Sequence, residues 1–151
     1  MSFFVPLLVY LLLPEMIRYV TGKKAKRDLV LATACLLYLI SWYLPSPLID
    51  GRNTAFMTHL VGGGIFTGLL WLYVKRQRGW KASWVVEILV LFACVSSLGV
   101  ANELFELVTV ESGLTRLDGS DTWWDLLANT LGASVFWIFY RLTMKNDITR
   151  P

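Results

Sequence analysis

Apolar residues in this chain gather into five runs separated by short polar stretches. The runs cover residues 3–20, 29–44, 55–74, 83–110 and 122–143. A helix needs about 20 mostly apolar residues to cross a bilayer, and the runs fall near that length. The pattern predicts an all-α fold: a polytopic transmembrane helix bundle of five spans, forming one integral membrane domain over residues 1–151. The first run holds Pro6 and Pro14. It has the length of a signal peptide, but no basic stretch precedes it. Thr21-Gly22-Lys23-Lys24 follows in place of a small-residue cleavage site, so a retained helix is expected. The second run stops at Pro45-Ser46-Pro47, because proline removes a donor and clashes with the preceding turn. The fourth is long enough to tilt or to protrude from the bilayer.

Composition sharpens this reading. Hydrophobic residues make up 56% of the chain and charged residues 17%, with a mean hydropathy of +0.56. A soluble domain carries about 25% charge. No room is left for a soluble enzymatic domain beside the membrane part. The net charge of +3 and a pI near 9.0 do not point to nucleic acid, because the basic residues sit in short clusters between apolar runs. Lys23, Lys24, Lys26 and Arg27 lie between runs one and two with Arg18 just before them, Lys75, Arg76, Arg78 and Lys81 between three and four, and Arg141, Lys145 and Arg150 at the end. Together they hold 12 of the 14 Lys and Arg, leaving Arg52 and Arg116 on the other side. The positive-inside rule then places the N-terminus outside and the C-terminus in the cytoplasm, as an odd number of spans requires. Cys35 and Cys94 fall inside spans without metal-type spacing and read as small packing residues.

Against this apolar text a few polar residues stand out. His59 opens the third run, Asn102, Glu103 and Glu106 lie near the end of the fourth, and Asp121, Asp125 and Asn129 open the fifth. At about 1.5 Å of rise per residue, His59, Glu103, Glu106, Asp125 and Asn129 fall within roughly 5–11 Å of the outer boundary. Asp121, Asp125 and Asn129 are spaced i, i+4, i+8 and form one stripe; Asn102 and Glu106 are i, i+4. Polar faces of this kind turn inward, since lipid exposure costs about 2.5–3.5 kcal/mol per charged group even on the lenient insertion scale. Gly62, Gly63, Gly64 and Gly68 follow His59, and Gly64-x-x-x-Gly68 has the spacing that lets helices approach closely. The third span is therefore expected at the centre, with His59 at the mouth of a polar pocket. Trp42, Tyr43, Trp123 and Trp124 fall where an interfacial aromatic belt belongs.

Each residue alone has an ordinary explanation. A single polar residue in a span is usually interhelical glue, and Asp121 reads first as a cap of the fifth helix. The glycines read as packing surfaces, because no strand precedes them and no Lys-Ser/Thr follows. Glu15 is expected to pair with Arg18, and Glu87 to snorkel or to pair with Lys81. The conjunction weighs more. Four carboxylates and one imidazole at one depth repel if all are ionised, so they must be protonated, paired with Arg116 or Arg52, or bound to a cation.

Asn102-Glu-Leu-Phe-Glu106, an arginine-containing loop, then Asp125-Leu-Leu-Ala-Asn-Thr-Leu-Gly132 resembles the VanZ-like family of small bacterial membrane proteins. His59, Glu103, Arg116, Asp125, Asn129 and Gly132 stand at the places where that family shows histidine, glutamate, arginine and Asp-x-x-x-Asn-x-x-Gly. Glu106 departs from the usual glutamine. The Glu-x-x-Glu followed by Asp-Thr-x-x-Asp is similar to the related YjdF-type membrane proteins. The resemblance covers residues 53–141 and implies a multi-pass protein of the bacterial cytoplasmic (inner) membrane, acting in the cell envelope. VanZ itself is associated with low-level resistance to teicoplanin, so the resemblance carries a fold and a site rather than an activity.

The first functional expectation is a pocket that binds or processes an envelope lipid or a lipid-linked cell-wall precursor. Glu103 or Asp125 would serve as general base, Glu106 would join them, and His59 would shuttle protons or ligate a cation. Asn129 would orient the substrate or a partner carboxylate, while Asn102, Arg116 and Asp121 would bind substrate. A divalent cation would draw on His59, Glu103 and Asp125, although their spacing matches no zinc motif. The second expectation is an ion- or proton-coupled transporter, which requires a polar route to the cytoplasm. The third is a structural protein whose polar cluster only locks the bundle.

Overall fold

A computed structural model of the chain describes residues 3–49, 52–114 and 122–148. Helix α1 spans Phe4–Thr21 and α2 spans Leu29–Ser41. A π-helical segment, Thr58–Ile65, runs directly into α3, Phe66–Arg78. Helix α4 spans Trp84–Glu111 and α5 spans Thr122–Ile148. Local chemistry sets several of these ends. Asp28 and Ser83 cap α2 and α4 by accepting from the backbone N–H groups of Leu31 and Val86. Gly79 ends α3 at φ 60°, a left-handed conformation that costs glycine nothing. Helix α2 ends three residues earlier than the apolar run: Tyr43 and Leu44 bond back to the Ile40 and Ser41 carbonyls in tight turns ahead of Pro45. Between α2 and the π-helical segment a short antiparallel ladder pairs Leu48 with Asn53, in a stretch the apolar pattern leaves as connection.

The π-helical segment lies at the centre of the fold, packed against α2, α4 and above all α5. The reason is the run of glycines. A Cβ on Gly64 would strike the Asn129 carbonyl and Gly132, and a Cβ on Gly132 would strike the Leu60 carbonyl. Backbone therefore meets backbone where Gly64 and Gly132 cross, the close approach that small residues permit. Gly68 continues the contact one turn on, against Phe136. Two apolar clusters fill the rest. Trp71, Leu91, Val95, Ala133 and Tyr140 join α3, α4 and α5, and Ile17, Leu31 and Tyr73 join α1, α2 and α3.

The basic clusters share one end of the bundle. Gln77 accepts from the Lys26 backbone N–H at 3.0 Å and donates to the Lys26 carbonyl and to Asp28, so the α1–α2 loop is tied to the end of α3. Arg141 of α5 reaches the same end through Glu87 at 3.8 Å. Arg18 pairs with Glu15 at 2.8 Å, as expected from their i, i+3 spacing. Helices α1 and α4 are long and apolar enough to cross a membrane, yet only 17% and 22% of their most apolar stretches are buried. Their apolar faces point outward, which suits hydrocarbon rather than water.

Candidate functional site

At the end away from the basic clusters, three elements converge. The π-helical segment presents His59, α4 presents Glu103, and α5 presents Asp125. His59 Nε2 lies 3.3 Å from Asp125 Oδ2, with the carboxylate side chain 3% exposed. A Glu103 carboxylate oxygen joins them: one donor atom from each residue lies within 4.8 Å of the other two. Wide π-helical turns often occur at functional sites, and this one sets His59 at its start and Gly62 to Gly64 along it.

Asp125, Asn129 and Gly132 form a single working face of α5. Asp125 meets His59, the Asn129 side chain presses on Gly63, and Gly132 admits the Leu60 carbonyl. The spacing of four and then three residues keeps all three on one side of a helix. Asn129 is 4% exposed, and its Oδ1 has no hydrogen-bond partner among the described residues.

Beside the ion pair lies a cavity of about 230 Å³. His59, Asn102, Glu106 and Asn129 line it together with Tyr38 and Ser41. Asn102 Nδ2 donates to Glu106 Oε1 at 2.8 Å, the i, i+4 pair read from the spacing. The carboxylates are thus divided: Glu106 faces the cavity with its amide partner, whereas Glu103 and Asp125 meet His59. Arg116 and Asp121 lie outside the described residues, and so do the pairing with Arg116 and the Asp121 cap. Helix α2 also contributes to the cavity, which the apolar pattern does not indicate. Ser41 is fully buried against Gly62, and its carbonyl accepts from the Thr58 hydroxyl at 3.2 Å. A serine at the end of an apolar run carries no periodic signal; only the glycine facing it gives it a place.

A second buried polar centre lies at the basic end. Lys75 forms an ion pair with Glu87, which is 2% exposed. This corrects the expectation that Glu87 snorkels or pairs with Lys81: one turn of α3 packs Lys75 directly over α4. Lys75 also donates to the Tyr140 hydroxyl at 2.8 Å and lies 5.0 Å from the ring centres of both Trp71 and Tyr140. Between the two polar centres stand Trp71, Leu91, Val95 and Ala133, an apolar layer.

The outward apolar faces, the glycine-mediated helix crossing and the buried polar centres define a helical membrane protein. The chain belongs to the family described as predicted membrane protein DUF2238, whose model matches residues 40–146. That match takes in His59, Asn102, Glu103, Glu106, Asp125 and Asn129 and leaves out α1 and Tyr38 of the cavity wall. No curated protein and no solved structure matches the chain.

Proposed function

We propose that this protein is a five-span membrane protein whose pocket, placed in the outer leaflet, binds the polar headgroup of an envelope lipid or a lipid-linked cell-wall precursor. The observation that carries this reading is the cavity beside the His59–Asp125 pair, walled by Asn102, Glu106 and Asn129 and floored by apolar residues. Its polar groups converge while its surroundings stay apolar, the arrangement that suits an amphiphile. The exposed aromatic residues Trp42, Tyr43 and Trp123 at this end fit an interfacial belt, which would set the pocket at headgroup depth. The VanZ-like kinship belongs to the same reading, resting on the Asp125 to Gly132 motif and on the histidine that opens the glycine-rich span. In this pocket Asn102 and Asn129 orient the headgroup, and His59 with Glu103 or Asp125 supplies proton transfer if the headgroup is processed.

An ion-coupled transporter needs a polar route through the bundle. The layer of Trp71, Leu91, Val95 and Ala133 interrupts that route, which favours a pocket open to one side.

The test is binding of a short-chain polyprenyl phosphate and of phosphatidylglycerol to the full chain in lipid nanodiscs. His59→Ala and Asn129→Ala should each weaken binding of one of these probes about tenfold, the effect of losing one hydrogen bond to a charged group. Equal binding by wild type and both variants overturns the reading and leaves the polar cluster as a lock between helices.

A further inference from the structure

We infer that His59, Glu103 and Asp125 hold a divalent transition-metal ion of the Zn²⁺ or Mn²⁺ kind, and that this ion is what lets an acidic pocket receive an anionic headgroup. The inference rests on the proposed headgroup pocket for its role, though not for its existence.

Geometry comes first. Ligand bonds of about 2.0–2.1 Å place neighbouring donors of a tetrahedral site about 3.3 Å apart. His59 Nε2 and Asp125 Oδ2 are separated by 3.3 Å, and the Glu103 oxygen completes a trio within 4.8 Å. The donors come from three separate elements, brought together by the fold. His59 of this trio also lines the cavity, and three protein donors leave a position for a further ligand. An imidazole with two carboxylates suits Zn²⁺ or Mn²⁺ better than a purely hard cation.

Charge is the second argument. Glu103 and Asp125 place two carboxylates beside one imidazole, and Glu106 adds a third on the cavity wall, which is a poor reception for a phosphate. A neutral histidine, two carboxylates and a doubly charged ion sum to zero, the least costly total in a low-dielectric interior. Independently of the trio, the Asn129 side chain faces the same cavity, almost wholly buried, with its Oδ1 still without a hydrogen-bond partner among the described residues. Such an oxygen is a group left over for a ligand.

The full chain, purified in detergent, is loaded with Zn²⁺ or Mn²⁺, desalted, and its metal measured by mass spectrometry. The expected result is about one ion per chain, as one set of three donors holds one metal. His59→Ala and the double variant Glu103→Gln/Asp125→Asn should each lower it at least tenfold, the effect of losing ligands. Glu111→Gln, at the exposed end of α4, should leave it unchanged. Wild-type protein that is helical and monodisperse but retains neither metal overturns the inference, and this arm needs no variant to fold. Metal retained equally by His59→Ala and the double variant overturns it as well. Headgroup binding distinguishes the two proposals. If polyprenyl phosphate binds equally with and without a chelator, the role given to the ion fails and the pocket stands. If one ion is bound but no headgroup is, the pocket fails and the metal site stands.

Discussion

The two polar centres of this bundle are buried to similar depth and could hardly differ more in how their charges are met. At the basic end Lys75 has Glu87, the Tyr140 hydroxyl and two aromatic faces around it, and Arg141 approaches the same carboxylate. Nothing there faces the cavity. At the other end Glu103 and Asp125 meet a single His59, and His59 and Glu106 border about 230 Å³ of space. The first centre sets two cationic side chains against one acid, although Glu87 Oε2 accepts no hydrogen bond among the described residues; the second sets two acids against one imidazole. Burial of a charge is therefore no mark of function here; what separates the two centres is the balance of acid against base.

The difference is best broken at the closed centre first. Glu87→Ala removes the acid and leaves Lys75 buried among Trp71 and Tyr140 without a counter-charge. Breaking a buried pair from one side costs about 3–5 kcal/mol. The unfolding midpoint of the detergent-solubilised protein should fall accordingly. The double variant Lys75→Met/Glu87→Leu should recover most of that loss, because well-packed apolar residues replace a buried pair at little net cost. If the double variant is as unstable as Glu87→Ala, the centre is more than a structural pair.

The helix crossing should be the next most sensitive point. Gly132→Ala drives a methyl group into the Leu60 carbonyl and the backbone at Gly64. Overpacking of this kind costs about 1–3 kcal/mol. Because α5 also carries Asp125 and Asn129, metal and headgroup binding should fall with it. The same exchange at Gly22, where open space surrounds the Cβ position, meets no neighbour and strains only a left-handed φ of 67°. Its effect should be confined to the end of α1, with binding intact.

The open centre should respond in binding far more than in stability. Asp125→Asn keeps the shape of the side chain and removes one of the two acids that meet His59. Stability should change by no more than about 1 kcal/mol, and a gain is as compatible with the crowding as a loss. Metal retention and headgroup binding should nevertheless drop. A fall in stability as large as that of Glu87→Ala would make the open centre a lock like the other, and the contrast between the two would collapse.

How much of this was legible before the structure follows the same division. Helices announced themselves through apolar runs, and the polar stripe of α5 through its spacing of four, because both are periodic along one chain. The convergence of His59 with Glu103 and Asp125 was inferred from depth, and the pairing of Asn102 with Glu106 from their one-turn separation. What stayed hidden depends on which helix faces which. Lys75 over Glu87 required the rotation of α3 against α4, and Ser41 in the cavity wall required the facing Gly62. The π-helical turn was hidden too: the triple glycine reads as a packing surface, and only the approach of Gly132 shows why the turn widens there. The aromatic residues Trp42 and Trp123 were legible as an end of the bundle, since an interface selects amphipathic rings whatever their neighbours.

The smallest effect expected tests the finest part of the comparison, the division of labour among the acids of the open centre. Asn102 donates to Glu106 across one turn of α4, on a half-open face. A side-chain pair of this kind contributes about 0.2–0.5 kcal/mol to a helix, so Asn102→Ala should leave the unfolding midpoint almost unmoved. Metal content should stay at the wild-type level, because Glu106 is not one of the three converging donors. Headgroup binding should weaken, because the cavity loses an amide and the Glu106 carboxylate loses the partner that holds its orientation. A variant that loses metal as well would place Glu106 and its amide among the ligands and merge the two halves of the site. One that changes neither would remove Asn102 from the pocket's working surface and leave Asn129 as the amide that meets the headgroup.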